Sequence, residues 1–326
     1  MIISKTPFRV SFLGGGSDMN SYYMDEIGAV LSTTINKYMY IAVNPMFEGG
    51  VRLSYSKTEE VEDVSKINHP LVRESMLHLG IRSGIEITSL ADIPNRGSGL
   101  GSSSSYTVGL LNALYAYKGL YVSKSQLAKE ACFIEINRCD EKIGKQDQYA
   151  ASFGGMNLIQ FFPDQSVNVN PIIISNNTKN MLENRLMLFY TKKTRSATEI
   201  LSSQYELLKT KEKKINMRRM VDLAYKMKVD LEMSNVESIG SYLDESWSLK
   251  KQLANNITNE EIDNYYNIAL KAGASGGKIL GAGNGGFLLF IVPENKQLSV
   301  KKALDFLKLV DIKFENVGTQ ILHYNP

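Results

Sequence analysis

The sequence predicts an α+β protein built on antiparallel sheet, and three observations carry that expectation. Strand-like alternation recurs at residues 7–13, 38–43, 51–55 and 84–89, several of them separated by turns rather than by crossover helices. Helical periodicity is gathered in blocks of its own, after Gly101 and again beyond residue 197. Gly281-Ala282-Gly283-Asn284-Gly285-Gly286 has dinucleotide-fingerprint spacing but is followed by a strand pattern where that fingerprint needs a helix, which argues against a doubly wound parallel sheet.

In order along the chain, Phe8, Val10 and Phe12 alternate with Arg9 and Ser11, the period of a half-buried strand that runs into Gly14-Gly15-Gly16-Ser17-Asp18. After Gly101, serines are placed to cap a helix whose Leu110, Leu111 and Leu114 recur at helical spacing until Gly119. A second helix is expected near residues 126–137. Residues 163–180 are rich in Pro, Asn, Ser and Asp, which predicts the passage between an N-terminal domain (1–175) and a C-terminal one (176–326). Beyond it come a strand at 185–191, a long helical stretch over 197–255, and a capping box of Thr258 and Glu261. The Gly-rich segment 273–286 leads into an apolar strand at 287–292.

With 326 residues, 43% hydrophobic and 22% charged, the chain can bury a real core, which excludes a disordered or fibrous protein. Thirty-seven Lys and Arg against 34 Asp and Glu leave a net charge of +3, too little for a general grip on nucleic acid. Cys132 and Cys139 lie seven residues apart on one predicted helix. A separation of roughly 10 Å along the axis is too far for a disulfide. With no signal peptide and no membrane-length apolar run read in the sequence, a reduced, cytoplasmic protein is expected, with no membrane partner.

Residues 94–105, Pro-Asn-Arg-Gly-Ser-Gly-Leu-Gly-Ser-Ser-Ser-Ser, form a Gly/Ser loop opening onto a helix. Such a loop lets backbone N–H groups approach a phosphate, with the positive helix end behind them and hydroxyls beside them. No lysine follows Gly101, so it is not a Walker loop. The plainer alternative is a flexible turn with an N-cap. The loop around Gly281 and Gly283 approaches either a ligand or the first Gly-rich loop, or is a tight turn into a hairpin.

Asp147, in Gly144-Lys145-Gln146-Asp147-Gln148, is placed to take a proton from a substrate hydroxyl or to hold a cation, or is simply a solvated surface residue. Asp18 reads as a ligand or as an Asx-turn residue. Glu135, flanked by apolar residues in mid-helix, needs a cation or a basic partner. Arg73 and Arg195 are isolated charges suited to an anion, Arg195 by a bidentate contact. The run Lys209, Lys211, Lys213, Lys214, Arg218 and Arg219 reads as a solvated helix face, and His69, His78 and His323 show no metal-ligand spacing.

Three segments in this order, TPFRVSFLGGGSD, PNRGSGLGSSSS and GASGGKILGAGNGG, resemble the three signature motifs of the GHMP small-molecule kinases over nearly the whole chain. The run Gly144 to Ala151 is most similar to a branch that phosphorylates an anomeric hydroxyl, the D-glycero-D-manno-heptose 7-phosphate kinases, with the kinase domains of fucokinases beside it. The resemblance implies a ribosomal-S5-like N-terminal domain, a ferredoxin-like C-terminal domain and an active site between them. It implies that Gly97, Gly99, Leu100, Gly101, Ser102, Ser103, Ser104 and Ser105 bind ATP, that Ser103 and Glu135 hold Mg²⁺, and that Asp147 is the catalytic carboxylate with Arg9 as its basic partner. Because Gly-Gly-Gly-Ser-Asp stands where many members have Gly-Glu-His, the sugar contacts fall to Gly15, Gly16, Ser17 and above all Asp18. Gly281, Gly283, Arg73 and a clamp of Arg195 and Ser196 complete the expected substrate side. Serines at 104 and 105, where alanines are usual, leave open which serine holds the metal.

The expected function is therefore ATP-dependent phosphorylation of C1 of D-glycero-D-manno-heptose 7-phosphate, giving a 1,7-bisphosphate for nucleotide-activated heptose and surface polysaccharide. The alternatives are a kinase of an unphosphorylated sugar such as fucose, or a non-catalytic nucleotide or sugar sensor on the same fold.

Overall fold

The computed structural model describes residues 1–94, 97–193, 198–208, 210–254 and 256–326. The chain opens with β1 (Ile2–Leu13), α1 (Asn20–Tyr23), β2 (Gly28–Pro45), β3 (Val51–Ser54), β4 (Thr58–Val61), α2 (Pro70–His78) and β5 (Ile85–Ala91). The helices α3 (Ser102–Tyr117), α4 (Lys124–Cys132) and α5 (Gln146–Phe153) follow, then the hairpin β6 (Met156–Phe161) and β7 (Val167–Pro171). The second half comprises α6 (Asn176–Arg185), β8 (Leu186–Tyr190), α7 (Thr198–Leu207), α8 (Lys211–Glu232), α9 (Ile239–Lys251) and α10 (Glu260–Ala272). It ends with β9 (Gly276–Ile279), β10 (Phe287–Ile291), α11 (Gln297–Ala303), β11 (Lys308–Val310), β12 (Phe314–Glu315) and β13 (Gln320–Tyr324).

Among the described residues these strands make a nine-stranded and a four-stranded sheet, antiparallel except where β3 lies beside β5. The organiser of the first is β2. Along its length it pairs with β1, while its first half also pairs with β6, its second half with β5 and its middle with β12. The last strands thus return to the sheet that the first strand began, and β13 pairs with β1. Helix α3 packs on β1 and β2 and is buried on nearly every side. The second sheet runs β11-β8-β10-β9, and α9 packs on β9.

Several sequence expectations are corrected. The strand expected over 7–13 starts at Ile2, and it is buried on both faces: Arg9 is 4% exposed and Ser11 5%. Its polar side faces the site described below, so alternation reports a polar cavity rather than solvent. Asn176-Asn177-Thr178 is not a linker but the first turn of α6, because the Ser175 hydroxyl accepts from the N–H of Thr178. The helical stretch over 197–255 is broken into α7, α8 and α9. Asn259, not Thr258, caps α10 by accepting from the N–H of Ile262, and the Thr258 hydroxyl donates to Asp263 instead. Helix α4 passes into a π-helical turn, Phe133–Arg138, and both cysteines are free.

Candidate active site

A cavity of about 280 Å³ lies where the Gly/Ser loop, the end of β1, the start of α5 and the loop after β9 converge. Arg9 organises it. Its Nε donates to Asp147 Oδ1 and its Nη2 to Asp147 Oδ2, both at 2.7 Å, and its Nη1 donates to the Gly99 carbonyl at 2.6 Å. The two parallel bonds are the fork geometry that only a guanidinium supplies. Asp147 sits in the first turn of α5, where the helix end favours its negative charge, and its side chain keeps 22% exposure toward the cavity.

The Gly/Ser loop is shaped by left-handed glycines, including Gly101 (φ +73°), which caps α3. Gly97, Gly99, Gly101, Ser102, Ser103 and Ser104 line the cavity. Two members of the expected ATP-binding set do not. Leu100 is fully buried and its carbonyl accepts from the N–H of Arg9, while the Ser105 hydroxyl donates to the Pro7 carbonyl at 2.9 Å. Both fasten the loop to β1 and so fix its backbone in place.

Glu135 is fully buried in the π-helical turn, and its carboxylate accepts from the hydroxyls of Ser103 (2.9 Å), Ser104 (2.7 Å) and Thr107 (3.0 Å) and from the Gln148 amide. Burial pushes its carboxyl above the usual range, against the pull of those donors, led by Ser104. The expected basic partner is not there among the described residues. A desolvated carboxylate with a serine hydroxyl beside it is a hard oxygen donor set that fits Mg²⁺, whose remaining ligands are ordinarily water and substrate phosphate. The described residues contain no cluster of three or more His, Cys, Asp or Glu that would form an all-protein metal cage.

Asp18 does line the cavity, but its carboxylate is engaged by the N–H of Gly16 (2.9 Å), the N–H of Gln146 (3.0 Å) and the Gln146 side-chain amide (3.1 Å). Burial raises its carboxyl, with the backbone N–H of Gln146 pulling the other way. Asp18 thus pins the start of α5, and with it Asp147, to the loop after β1. The free acceptors at this end are others. Among the described residues, Ser11 Oγ and Gln146 Oε1 are buried without a hydrogen-bond partner, and both residues line the cavity. Gly15 stands over them: a Cβ there would lie 3.3 Å from Ser11 Oγ and 3.8 Å from Gln146 Oε1. Unpaired buried oxygens of this kind suit a ligand rich in hydroxyls.

Other expected substrate contacts fall elsewhere. The Ser17 hydroxyl is closed into the fold by Ala29, and Gly283 packs against Ile257. Arg73 donates to Glu74 and to the Ile67 carbonyl, outside the cavity. Gly16 and Gly281 do line it. Arg195 and Ser196 lie outside the described residues. Arg218 and Arg219 of the basic run are exposed and paired with Glu26 and Glu245, as a solvated face should be.

Sequence reasoning missed Gln148, Thr107, Ser11 and two lysines. Lys250 and Lys278 are 5% and 3% exposed and both line the cavity. Lys250 carries a legible signal, because it continues the apolar stripe of Leu243 and Trp247 at helical spacing, where a solvated lysine does not belong.

Comparison with known proteins bears on this geometry. The family model for the GHMP kinases N terminal domain matches residues 68–155, and that for the GHMP kinases C terminal matches residues 227–308. A D-glycero-alpha-D-manno-heptose 7-phosphate kinase from Campylobacter jejuni is 32% identical over 317 residues, 93% of each chain. The crystal structure of a D-glycero-D-manno-heptose 1-phosphate kinase from Bacteroides thetaiotaomicron superposes with a TM-score of 0.82 at 25% identity, covering 100% of both chains. The mevalonate kinase of Methanococcus jannaschii shares the fold, with a TM-score of 0.74 at 20% identity over 96% of this chain and 98% of that one.

Proposed function

The chain belongs to the GHMP kinases and is an ATP-dependent sugar kinase of the heptose kinase type; from that premise we propose that it phosphorylates the C1 hydroxyl of D-glycero-D-manno-heptose 7-phosphate. The product is the 1,7-bisphosphate, a precursor of nucleotide-activated heptose for surface polysaccharide. The observation that carries the reading is the Arg9–Asp147 fork, set against the Gly/Ser loop on one side and the unpaired oxygens of Ser11 and Gln146 on the other.

Residues 97–104 and the start of α3 receive the nucleotide phosphates, with backbone N–H groups and the positive helix end directed at them. Ser11 and Gln146 orient the sugar hydroxyls. Asp147 holds the acceptor hydroxyl in line with the γ-phosphorus and receives its proton as the new oxygen–phosphorus bond forms and the bond to ADP breaks. Arg9 orients Asp147 through its fork and faces the phosphoryl group. Mg²⁺, held by Glu135 and Ser103, would neutralise the charge of the nucleotide phosphates.

A phosphate already on the sugar needs cations beyond this cavity. A second cavity of about 300 Å³ adjoins the first, shares Asp18, Glu141 and Ile143 with it, and is lined by Lys129, Lys142 and Lys145. These lysines, rather than Arg73, which lies outside both cavities, are placed to receive that phosphate. The test is ATP turnover with Mg²⁺ against heptose 7-phosphate, heptose 1-phosphate, mannose 6-phosphate, free heptose and fucose, locating the new phosphate by phosphorus NMR. Turnover of heptose 7-phosphate to a 1,7-bisphosphate is expected. Turnover of free sugars alone would overturn the anion requirement, and phosphorylation of the 1-phosphate would reverse the assigned position.

A further inference from the structure

Among the described residues, two buried lysines line the cavity and have no salt-bridge partner. The stem of Lys250 lies along the core face of α9, and its Nζ donates to the carbonyl of Gly281. Lys278, on β9, donates to the carbonyl of Phe12 at 2.9 Å and so ties the second sheet to β1. Among the described residues, the partner of each ammonium is a single neutral carbonyl. Such a group has lost its hydration without gaining an opposite charge, which is costly unless an anion completes it.

The charged groups around Lys250 come from four places: Arg9 on β1, Asp18 in the loop after it, Asp147 on α5, and Lys278 on β9. Burial, then Arg9, pushes the Lys250 ammonium down to about 8, against the pull of the two carboxylates. Neither carboxylate is available to it. Asp147 is held by the Arg9 fork, and Asp18 by three N–H donors.

We propose that Lys250 contacts the phosphoryl group in transit from ATP to the sugar, as the cation supplied by the second half of the chain. Its carbonyl partner Gly281 lies against Gly99 of the Gly/Ser loop, and Arg9 Nη1 donates to the Gly99 carbonyl. Arg9 and Lys250 therefore converge on one point of the loop, the first from β1 and the second from α9, which packs on the second sheet. In the transition state, charge spreads over the equatorial phosphoryl oxygens while the acceptor oxygen bonds to phosphorus and the bridging oxygen leaves with ADP. Lys250 stays an ammonium throughout and donates N–H groups to those oxygens, and the acceptor proton goes to Asp147.

Lys250→Met keeps the stem and removes the charge. Turnover with whichever sugar the enzyme accepts is expected to fall about 10²–10³-fold, the range for losing one oriented donor at a developing anion. The KM for sugar and the Kd for ADP should stay within about twofold, while affinity for the non-hydrolysable analogue AMPPNP falls, because only the analogue carries the γ-phosphate. This binding contrast needs no sugar, so it stands even where the heptose assignment fails. In Lys250→Ala, ethylammonium ion should restore part of the turnover, which a purely structural lysine would not allow. Wild-type turnover in Lys250→Met, equal weakening of ADP and AMPPNP, or no rescue of Lys250→Ala would each overturn the proposal.

Discussion

Gly99 and Gly281 meet backbone to backbone: a Cβ on Gly281 would stand 2.4 Å from the Cα of Gly99. The reverse substitution is as crowded, since a Cβ on Gly99 would lie 2.3 Å from the Leu280 carbonyl oxygen. Both residues have positive φ, +77° and +72°. Two loops from different sheets thus close on each other with no side chain between them, and that contact brings Arg9 and Lys250 to one place.

Gly281→Ala should therefore force the loops apart as well as strain the backbone. Stability is expected to fall by about 2 kcal/mol or more, as for other substitutions into a special backbone geometry. Turnover should fall further than ADP affinity, measured by chemical unfolding alongside steady-state kinetics.

Arg9→Lys keeps the charge and loses the fork. A lysine cannot hold both oxygens of Asp147 and the Gly99 carbonyl at once, so kcat is expected to drop about 100-fold with little change in KM for ATP. Asp147→Asn should lose more, on the order of 10³-fold or greater, with ADP binding retained. An Asp147→Asn enzyme with normal turnover in a clean preparation would remove Asp147 from the reaction.

Ser11→Ala and Gln146→Ala separate sugar recognition from nucleotide binding. Each is expected to raise KM for sugar about 10-fold, roughly the loss of one buried hydrogen bond, while KM for ATP holds. Gln146→Ala has the larger effect because it also frees Asp18 from one of its donors.

Glu135→Gln tests the buried carboxylate through pH. The folded protein holds this carboxyl above its ordinary value, so in the window between the two values the native state binds more protons than the unfolded one. Its contribution to stability therefore declines as pH rises through that window. The variant, which carries no charge, should gain on the wild type in denaturant unfolding as pH rises above the ordinary carboxylate range. The Gln148 carbonyl oxygen, unpartnered among the described residues, can turn to accept from the introduced amide. Affinity for Mg·ATP should fall in the same variant.

Lys250→Met should show the complementary profile. The wild-type ammonium is held down to about 8 from 10.5, so its burial cost is fully present below pH 8 and is relieved as pH rises from there toward 10.5. The variant is expected to be the more stable protein at pH 7, by ~3 kcal/mol at most, with the gap closing above pH 8. A gap that did not change with pH would mean that the lysine is not desolvated in solution.

Much of this molecule was legible in its sequence, for local reasons. The strand over 7–13 and the Gly/Ser loop with its helix are specified by periodicity and by glycines, which act within a few residues. The order and spacing of three glycine-rich segments were enough for the family, and Arg9 and Asp147, expected as partners, do meet in the fold. Local pattern failed where a distant element decides the environment. Arg9 alternates like a solvent-facing residue, yet a loop some ninety residues later bonds and helps bury it. Asn176-Asn177-Thr178 has linker composition, and the Ser175 cap makes it a helix.

Residue chemistry, spacing and order along the chain determined which kind of reaction this protein performs. Only the tertiary structure decided which polar groups are spare. It engages Asp18 and Ser17 with neighbouring donors and acceptors and, among the described residues, leaves Ser11 Oγ and Gln146 Oε1 without a partner. It also strips Lys250 and Lys278 of water in the cavity that the Gly/Ser loop lines. The reason is physical: desolvation and hydrogen-bond satisfaction depend on everything packed around a group, and most of those neighbours lie far away in sequence.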